Sequence, residues 1–395
     1  MTIYFDNAAT TWPKPPEVIE AVTRCIRDLG ANPGRAGHKM SIKANEMVDS
    51  TRKKLARIFN IDPIAYERIV FTVNATAALN LAIKGLLKKG EHVITSTMEH
   101  NSVTRPLYRL EKEGVQVTRV RCADDGSIDP ADIKKAIQPN TRLIAILHAS
   151  NVTGTVMPAE EIGRIAGEAG ALFLLDAAQS AGVLDIDVQR MNIGLLAFPG
   201  HKSLLGPTGI GGLYIRGGIL LETLKEGGTG SQSELKGMPE TLPERYEAGT
   251  LNTTGIAGLE AGIDFIVKTG MEKIRDHELG LTRLFMEKSQ KIPGLKIYGS
   301  SGDVPRAPVV SFLIEGRKSA EIGGLLDKNY DIACRAGLHC SPDAHRTLGT
   351  FYKKLVRFSF SYFNKEEEVI RAVDCLEEIV KKNLTLPEGE GGCGC

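Results

Sequence analysis

A lysine stands among small, permissive residues in Gly200-His201-Lys202-Ser203-Leu204-Leu205-Gly206, and 26 residues before it Asp176 closes an apolar run, 172–175. No Gly-x-x-x-x-Gly-Lys-Ser/Thr frame fits, so the segment is not a nucleotide-phosphate loop. A carboxylate ending an apolar strand costs on the order of several kcal/mol to bury unless a cation or donor meets it. Lysine and carboxylate together suit Schiff-base chemistry. The amine holds the aldehyde of pyridoxal phosphate as an imine, and Asp176 keeps the ring nitrogen protonated so that the ring acts as an electron sink. Taken alone, Lys202 would read as a solvated loop lysine, so the residues gathered around it matter.

Ligands of an open parallel sheet collect beyond the carboxyl ends of its strands, and polar residues follow each strand candidate. Asn74-Ala75-Thr76 follows 68–72 and leads into a helix whose free N–H groups, positive end and Thr76 hydroxyl suit a phosphate. An ordinary N-cap is the plain alternative. His100, in Glu99-His100-Asn101, is placed to stack on a cofactor ring, although a lone histidine is more often structural. Ser150-Asn151 follows His148, and Gln179 in Asp176-Ala177-Ala178-Gln179 is placed to donate to a ring oxygen.

These positions need a frame. Strand-length apolar runs at 68–72, 92–95, 116–120, 143–148 and 172–175 alternate with helical stretches at 77–88, 102–113, 130–136 and 158–169. Such alternation predicts an α/β fold with a mostly parallel, helix-covered sheet. Past residue 215 the pattern breaks, then resumes as one long helical stretch, 256–292, able to connect two domains. Strand candidates at 309–314, 332–333 and 356–359, with helices at 319–329 and 365–383, make a smaller α+β unit. The expected division is a large cofactor-binding domain over 15–260, a small domain from 1–14 and 261–385, and a mobile Cys-Gly-Cys tail over 386–395.

Composition narrows the partners. Lys plus Arg number 49 against 48 Asp plus Glu, a net charge of +1 that gives no reason to expect nucleic acid or an anionic membrane. Hydrophobic residues at 42% and charged ones at 25% exclude a disordered or collagen-like chain. Glycine is in excess, 42 where a usual share of about 7% gives about 28. Neither a signal segment nor a spanning stretch is readable, so the expected compartment is the cytoplasm. Seven cysteines, an odd number, read as free thiols, with Cys25, Cys122 and Cys375 as packing residues. No metal site is expected.

The blocks 4–10, 32–38, 74–80, 99–101, 150–154, 176–182, 200–212, 247–253 and Arg335-Ala336-Gly337-Leu338-His339-Cys340, in this order, resemble the cysteine desulfurases of the class V aminotransferase family, SufS-like branch. The likeness runs to about Val380. It implies a fold-type I pyridoxal-phosphate homodimer with a seven-stranded-type sheet. Phosphate contacts would come from Ala75, Thr76, His201 and, from the other subunit, Thr250. Arg357 matches the arginine that binds the substrate carboxylate, with Asn151 assisting, as suits a guanidinium fork. Cys340 matches the nucleophilic thiol, and Arg335 and His339 offer it a cationic neighbourhood.

The implied reaction turns L-cysteine into L-alanine. Lys202 takes the Cα proton, Cys340 attacks the substrate sulfur and is left as a persulfide, and His100 serves as acid and base. A sulfur-acceptor protein would follow, iron–sulfur cluster assembly being one destination. A selenocysteine lyase would share the apparatus, and another class V enzyme would use the cofactor without needing Cys340. Departures from the family pattern are Pro199, where a phosphate-binding serine is common, Leu338, where a second histidine is common, and the ending Cys393-Gly394-Cys395, a candidate sulfur relay.

Overall fold

Residues 143–147, 172–176 and 195–199 are apolar at nearly every position because both faces of the strands they form are covered. The computed structural model describes residues 2–34, 37–300 and 304–386. Its strands in chain order are β1 (Ile3–Tyr4), β2 (Ile69–Thr72), β3 (His92–Ser96), β4 (Gln116–Val120), β5 (Thr141–Leu147), β6 (Leu172–Asp176), β7 (Leu195–Pro199), β8 (Gly211–Ile215), β9 (Leu295–Tyr298), β10 (Val309–Ile314), β11 (Ile332–Ala333), β12 (Arg335–Gly337) and β13 (Leu355–Ser359). A seven-stranded sheet has the order β2-β8-β7-β6-β5-β3-β4. Only β8 opposes its neighbours; the other strands run parallel.

Side chains alternate between two cores. Ile144, Ile146, Phe173, Leu175, Leu196 and Phe198 enter one, while Leu143, Ala145, Leu174, Leu195 and Ala197 enter the other. The helix Ala159–Glu168 covers the first face with Ile162, Ile165 and Ala166; the helix Ala75–Leu86 covers the second with Ala78, Leu79, Ala82 and Ile83. Each large apolar side chain so buried contributes roughly 1.5–3 kcal/mol. The second helix starts two residues before its apolar periodicity does, because the Asn74 side chain caps it by accepting the Ala77 N–H at 2.9 Å.

The reversal of β8 follows from chain length. A parallel crossover takes a dozen or more residues, and 200–210 are too few, so the chain returns as a hairpin with Lys202 in its loop. Gly182 (φ 94°) lets the turn after β6 approach that loop: a Cβ there would stand 2.6 Å from the Ser203 carbonyl oxygen.

The smaller unit is an antiparallel sheet of order β12-β13-β10-β9, with β1 paired in parallel to β11 at its side. Its core is aromatic: Phe285, Phe312 and Phe358 stand 5.1–5.4 Å apart between ring centroids, and Phe5 joins Phe358 at 5.1 Å. The single long helix expected over 256–292 is two helices, Thr253–Thr269 and Met271–Ser289. Gly270, at φ 92°, ends the first in a conformation that only glycine takes readily, and helical periodicity on both sides hid the break.

A buried ion pair ties the helix Lys39–Ile58 to the loop that carries Thr250. Arg52 Nη2 meets Glu247 Oε2 at 2.5 Å, and the other Glu247 oxygen accepts the Phe71 N–H at 2.6 Å. Arg52→Ala leaves that carboxylate alone in the core and is expected to cost about 3–5 kcal/mol, read as a fall in the urea midpoint. The double change Arg52→Met with Glu247→Gln should cost less.

Candidate active site

Asp176 ends β6 and Lys202 follows the adjacent β7, so both stand at one edge of the sheet. At that edge Ala75, Thr76, His100, Asn151, Asp176, Gln179, His201 and Lys202 line a single cavity, with Pro199 in its wall. Thr250 does not join them. It is exposed and lines a neighbouring cavity with Val73, Ala77 and Gly209.

The Lys202 amine makes no hydrogen bond or ion pair with the described residues. Burial pushes its pKa down to about 8; Asp176 and Asp6 oppose the shift, and Arg357 and Arg335 add to it. Asp176 is 4% exposed. Burial holds its pKa above the ordinary carboxylate range against the Ala178 N–H, 2.9 Å from Oδ1, and the Lys202 charge. Its second oxygen takes no bond from the described residues. Ala75 and Thr76 begin the helix with N–H groups that have no protein acceptor, since Asn74 caps Ala77. A partnerless buried amine, a half-satisfied buried carboxylate and free N–H groups at a helix start fit pyridoxal phosphate: aldehyde, ring nitrogen and phosphate each have a counterpart.

His100 caps the helix Asn101–Lys112 by accepting the Ser102 N–H on Nδ1 at 3.1 Å, which leaves its proton on Nε2. Burial and Lys202 push its pKa to about 4, so the ring is neutral. Gln179 donates to the Ala8 carbonyl at 3.1 Å and keeps a second N–H free. Three donors converge on the His201 carbonyl: Lys14 Nζ at 2.6 Å, Thr10 Oγ1 at 3.2 Å and the Thr11 N–H at 3.2 Å. They fix the peptide that carries Lys202.

The smaller unit meets this cavity through Asn151 without lining it. Arg357, on β13 and 1% exposed, gives Nη2 to Asp6 Oδ1 at 2.6 Å and Nη1 to the Asn151 carbonyl at 3.1 Å. His339 and Cys340, neither a glycine, both lie in the left-handed region at φ 52° and 57°, a strain of about 1–3 kcal/mol each. Three contacts hold them there. The Asn101 N–H donates to the Cys340 carbonyl at 2.8 Å, Asn151 Nδ2 donates to the His339 carbonyl at 2.7 Å, and Ser341 Oγ donates to Asn151 Oδ1 at 2.8 Å. Asn151 thus pins the Cys340 loop, a task its sequence position does not suggest.

The cationic neighbourhood expected of Arg335 and His339 comes from Arg335 alone, whose Nη2 donates to Cys340 Sγ at 3.3 Å. His339 is buried and stacked on His345 with centroids 5.5 Å apart. Burial, reinforced by Arg357, keeps its pKa well below the usual histidine range, so the ring carries no charge. The sequence reading gives Asp6 and Thr10 no role beyond membership of the block 4–10, and Lys14 none at all. Their partners lie up to 351 residues away, out of reach of any local pattern. Cys393 and Cys395 lie outside the described residues.

The model of the family described as aminotransferase class V matches residues 3–371. The chain belongs to the class V aminotransferases. It is 36% identical over 388 residues to a probable cysteine desulfurase of Methanothermobacter thermautotrophicus, covering 95% of this chain and 94% of the relative. A probable cysteine desulfurase of Pyrococcus abyssi is 38% identical over 391 residues, covering 96% and 94%. The apo structure of the cysteine desulfurase from Thermococcus onnurineus NA1 superposes with a TM-score of 0.90 at 36% identity, over 96% of this chain and 95% of that one. The architecture is fold-type I, and cysteine desulfurases of the class V family use pyridoxal phosphate. Among the described residues no helix is long and apolar enough to cross a membrane, and no group of three or more His, Cys, Asp or Glu residues could hold a metal ion.

Proposed function

We propose that this class V aminotransferase is a pyridoxal-phosphate-dependent cysteine desulfurase that converts L-cysteine to L-alanine and retains the sulfur on Cys340 as a persulfide. The observation that carries the reading is a link through Asn151: a partnerless amine beside a buried carboxylate in the cavity that Asn151 lines, and a thiol held by Arg335 in a strained loop that Asn151 pins. Pyridoxal phosphate supplies an electron sink for charge developing at the substrate Cα. Ala75, Thr76 and His201 hold its phosphate, Asp176 its ring nitrogen, Gln179 its ring oxygen, and His100 covers its face.

Arg357 orients the substrate carboxylate, with Asn151 beside it. Lys202 accepts the Cα proton. Cys340 Sγ forms a bond to the substrate sulfur as the Cβ–S bond breaks, and the Cβ gains a proton. One thiol and one cysteine therefore become one persulfide and one alanine, with no external oxidant. His100 is within the cavity to move protons near the thiol.

The active unit in this reading is a homodimer. Asn74 and Thr76 are exposed at the phosphate end, and Thr250 stands exposed on its own loop, as suits a threonine that completes the site of a second copy. Cys25, Cys122, Cys334, Cys340 and Cys375 are free, which suits the reducing cytoplasm. An acceptor protein would then draw the sulfur from Cys340.

The test gives the cofactor-loaded protein L-cysteine with a reductant and quantifies alanine and sulfide, and in a second sample without reductant maps the retained sulfur by peptide mass. Equal amounts of the two products and one extra sulfur on the Cys340 peptide are expected. Alanine without sulfide, or sulfur on another residue, would overturn the reading.

A further inference from the structure

The guanidinium of Arg357 already has an anion. A buried cation without a partner is costly, and here the chain supplies the Asp6 carboxylate, 2.6 Å from Nη2, on a side chain 23% exposed against 1% for the arginine. Nη1 is taken by the Asn151 carbonyl, and Nε is buried with no partner. A bidentate carboxylate needs two adjacent N–H groups of the fork. Nη1 and Nη2 each keep a second N–H, but both two-point geometries of the fork, Nε with Nη2 and Nη1 with Nη2, use Nη2, so an arriving carboxylate has to share Nη2 with Asp6 or drive Asp6 off it. Two carboxylates on one guanidinium repel each other.

We propose that Asp6 is the resident counter-ion of Arg357, displaced when an amino-acid carboxylate binds, and that it thereby sets how tightly the site holds its substrate and product. The inference rests on the reading of Arg357 as the carboxylate site. The backbone around Asp6 is fixed: the Phe5 N–H donates to the Ala333 carbonyl at 2.8 Å, the Ser359 N–H to the Phe5 carbonyl at 2.8 Å, and the Ala8 N–H to Ser359 Oγ at 2.8 Å. Displacement is therefore a rotamer change of one short side chain and leaves the strand in place. Asp6 also opposes the lowering of the Lys202 pKa, which sets it near the amine as well as the guanidinium. The resident carboxylate keeps the fork aligned between turnovers and weakens the grip on alanine, which carries the same carboxylate as cysteine.

Asp6→Asn keeps an acceptor for Nη2 and removes only the charge. The cofactor-loaded variant and the wild type are titrated with L-alanine and, separately, with ethylamine, which lacks the carboxylate; binding is read by calorimetry and by the change in the cofactor spectrum. L-Alanine is expected to bind about tenfold tighter in Asp6→Asn, with ethylamine unchanged, because like-charge juxtaposition is what has been removed. The KM for L-cysteine should fall in parallel. If Asp6→Asn does not fold, Asp6→Ser makes the same comparison. Arg357→Ala separates the two layers of the claim. Unchanged L-alanine affinity in Arg357→Ala would overturn the carboxylate reading itself. Lost affinity there, with unchanged or weaker binding in Asp6→Asn, would make Asp6 an aligning residue only and overturn the displacement.

Discussion

Lys202→Ala protein is expected to retain no covalently held cofactor after desalting and to turn over L-cysteine at least about 10³-fold more slowly than wild type. Both functions sit on one nitrogen. The amine that captures the aldehyde is also the base nearest the substrate Cα, and no other lysine lines the cavity. The depressed pKa gives the wild type a signature of its own. Only the neutral amine attacks an aldehyde, and burial brings Lys202 from 10.5 to about 8. Cofactor capture by the apoprotein should therefore accelerate as pH rises through about 8 and level off above it. An ordinary lysine would keep gaining rate until well past pH 10. The time course of the visible band across pH 6.5–10 distinguishes the two, and a rate still climbing at pH 10 would remove Lys202 from this role.

Cys340→Ala is the second large effect, and it has the opposite shape. Alanine and sulfide production from L-cysteine should both fall at least about 10²-fold, while L-alanine binding, read by spectral titration, stays within about twofold of wild type. The reason is spatial. Cys340 does not line the cavity formed by the sheet edge, and Arg357 keeps its bonds to Asp6 and Asn151 without it, so its removal spares the groups assigned to cofactor and carboxylate. Full activity in Cys340→Ala would instead assign the chain to class V chemistry that needs no enzyme thiol.

Much of the fold was legible because helix-covered parallel strands announce themselves as apolar runs, and the site's larger half was legible because strand ends are where ligands collect. Asp176 and His100 each follow such a run within a few residues, whereas Lys202 follows the strand Leu195–Pro199, which is not among the strand candidates read from the sequence. What stayed hidden has two physical sources. Gly270 breaks a helix without breaking the apolar period on either side, so the 256–292 stretch read as continuous. Lys14 and Asn151 act through partners 187 and 188 residues away in sequence, and Asp6 meets Arg357 within the smaller unit across 351 residues. His339 misled for a related reason: a histidine beside a cysteine suggests charge, and its burial near Arg357, which holds its pKa well below the usual histidine range, arises only from the tertiary packing.

The N-terminal segment has a consequence in time as well as in space. Asp6 waits for Arg357, and β1 waits for β11, so this segment stays unpaired until residues 332–357 have been made. At roughly 5–20 residues per second, the 351 residues between Asp6 and Arg357 take on the order of 20–70 s to synthesise. From the synthesis of residue 215 until that of residue 332 the seven-stranded sheet can form while Ile3–Tyr4 is still an unpaired strand. A nascent chain of this protein therefore has a period in which the Lys202 amine is in place and the Asp6–Arg357 pair is not.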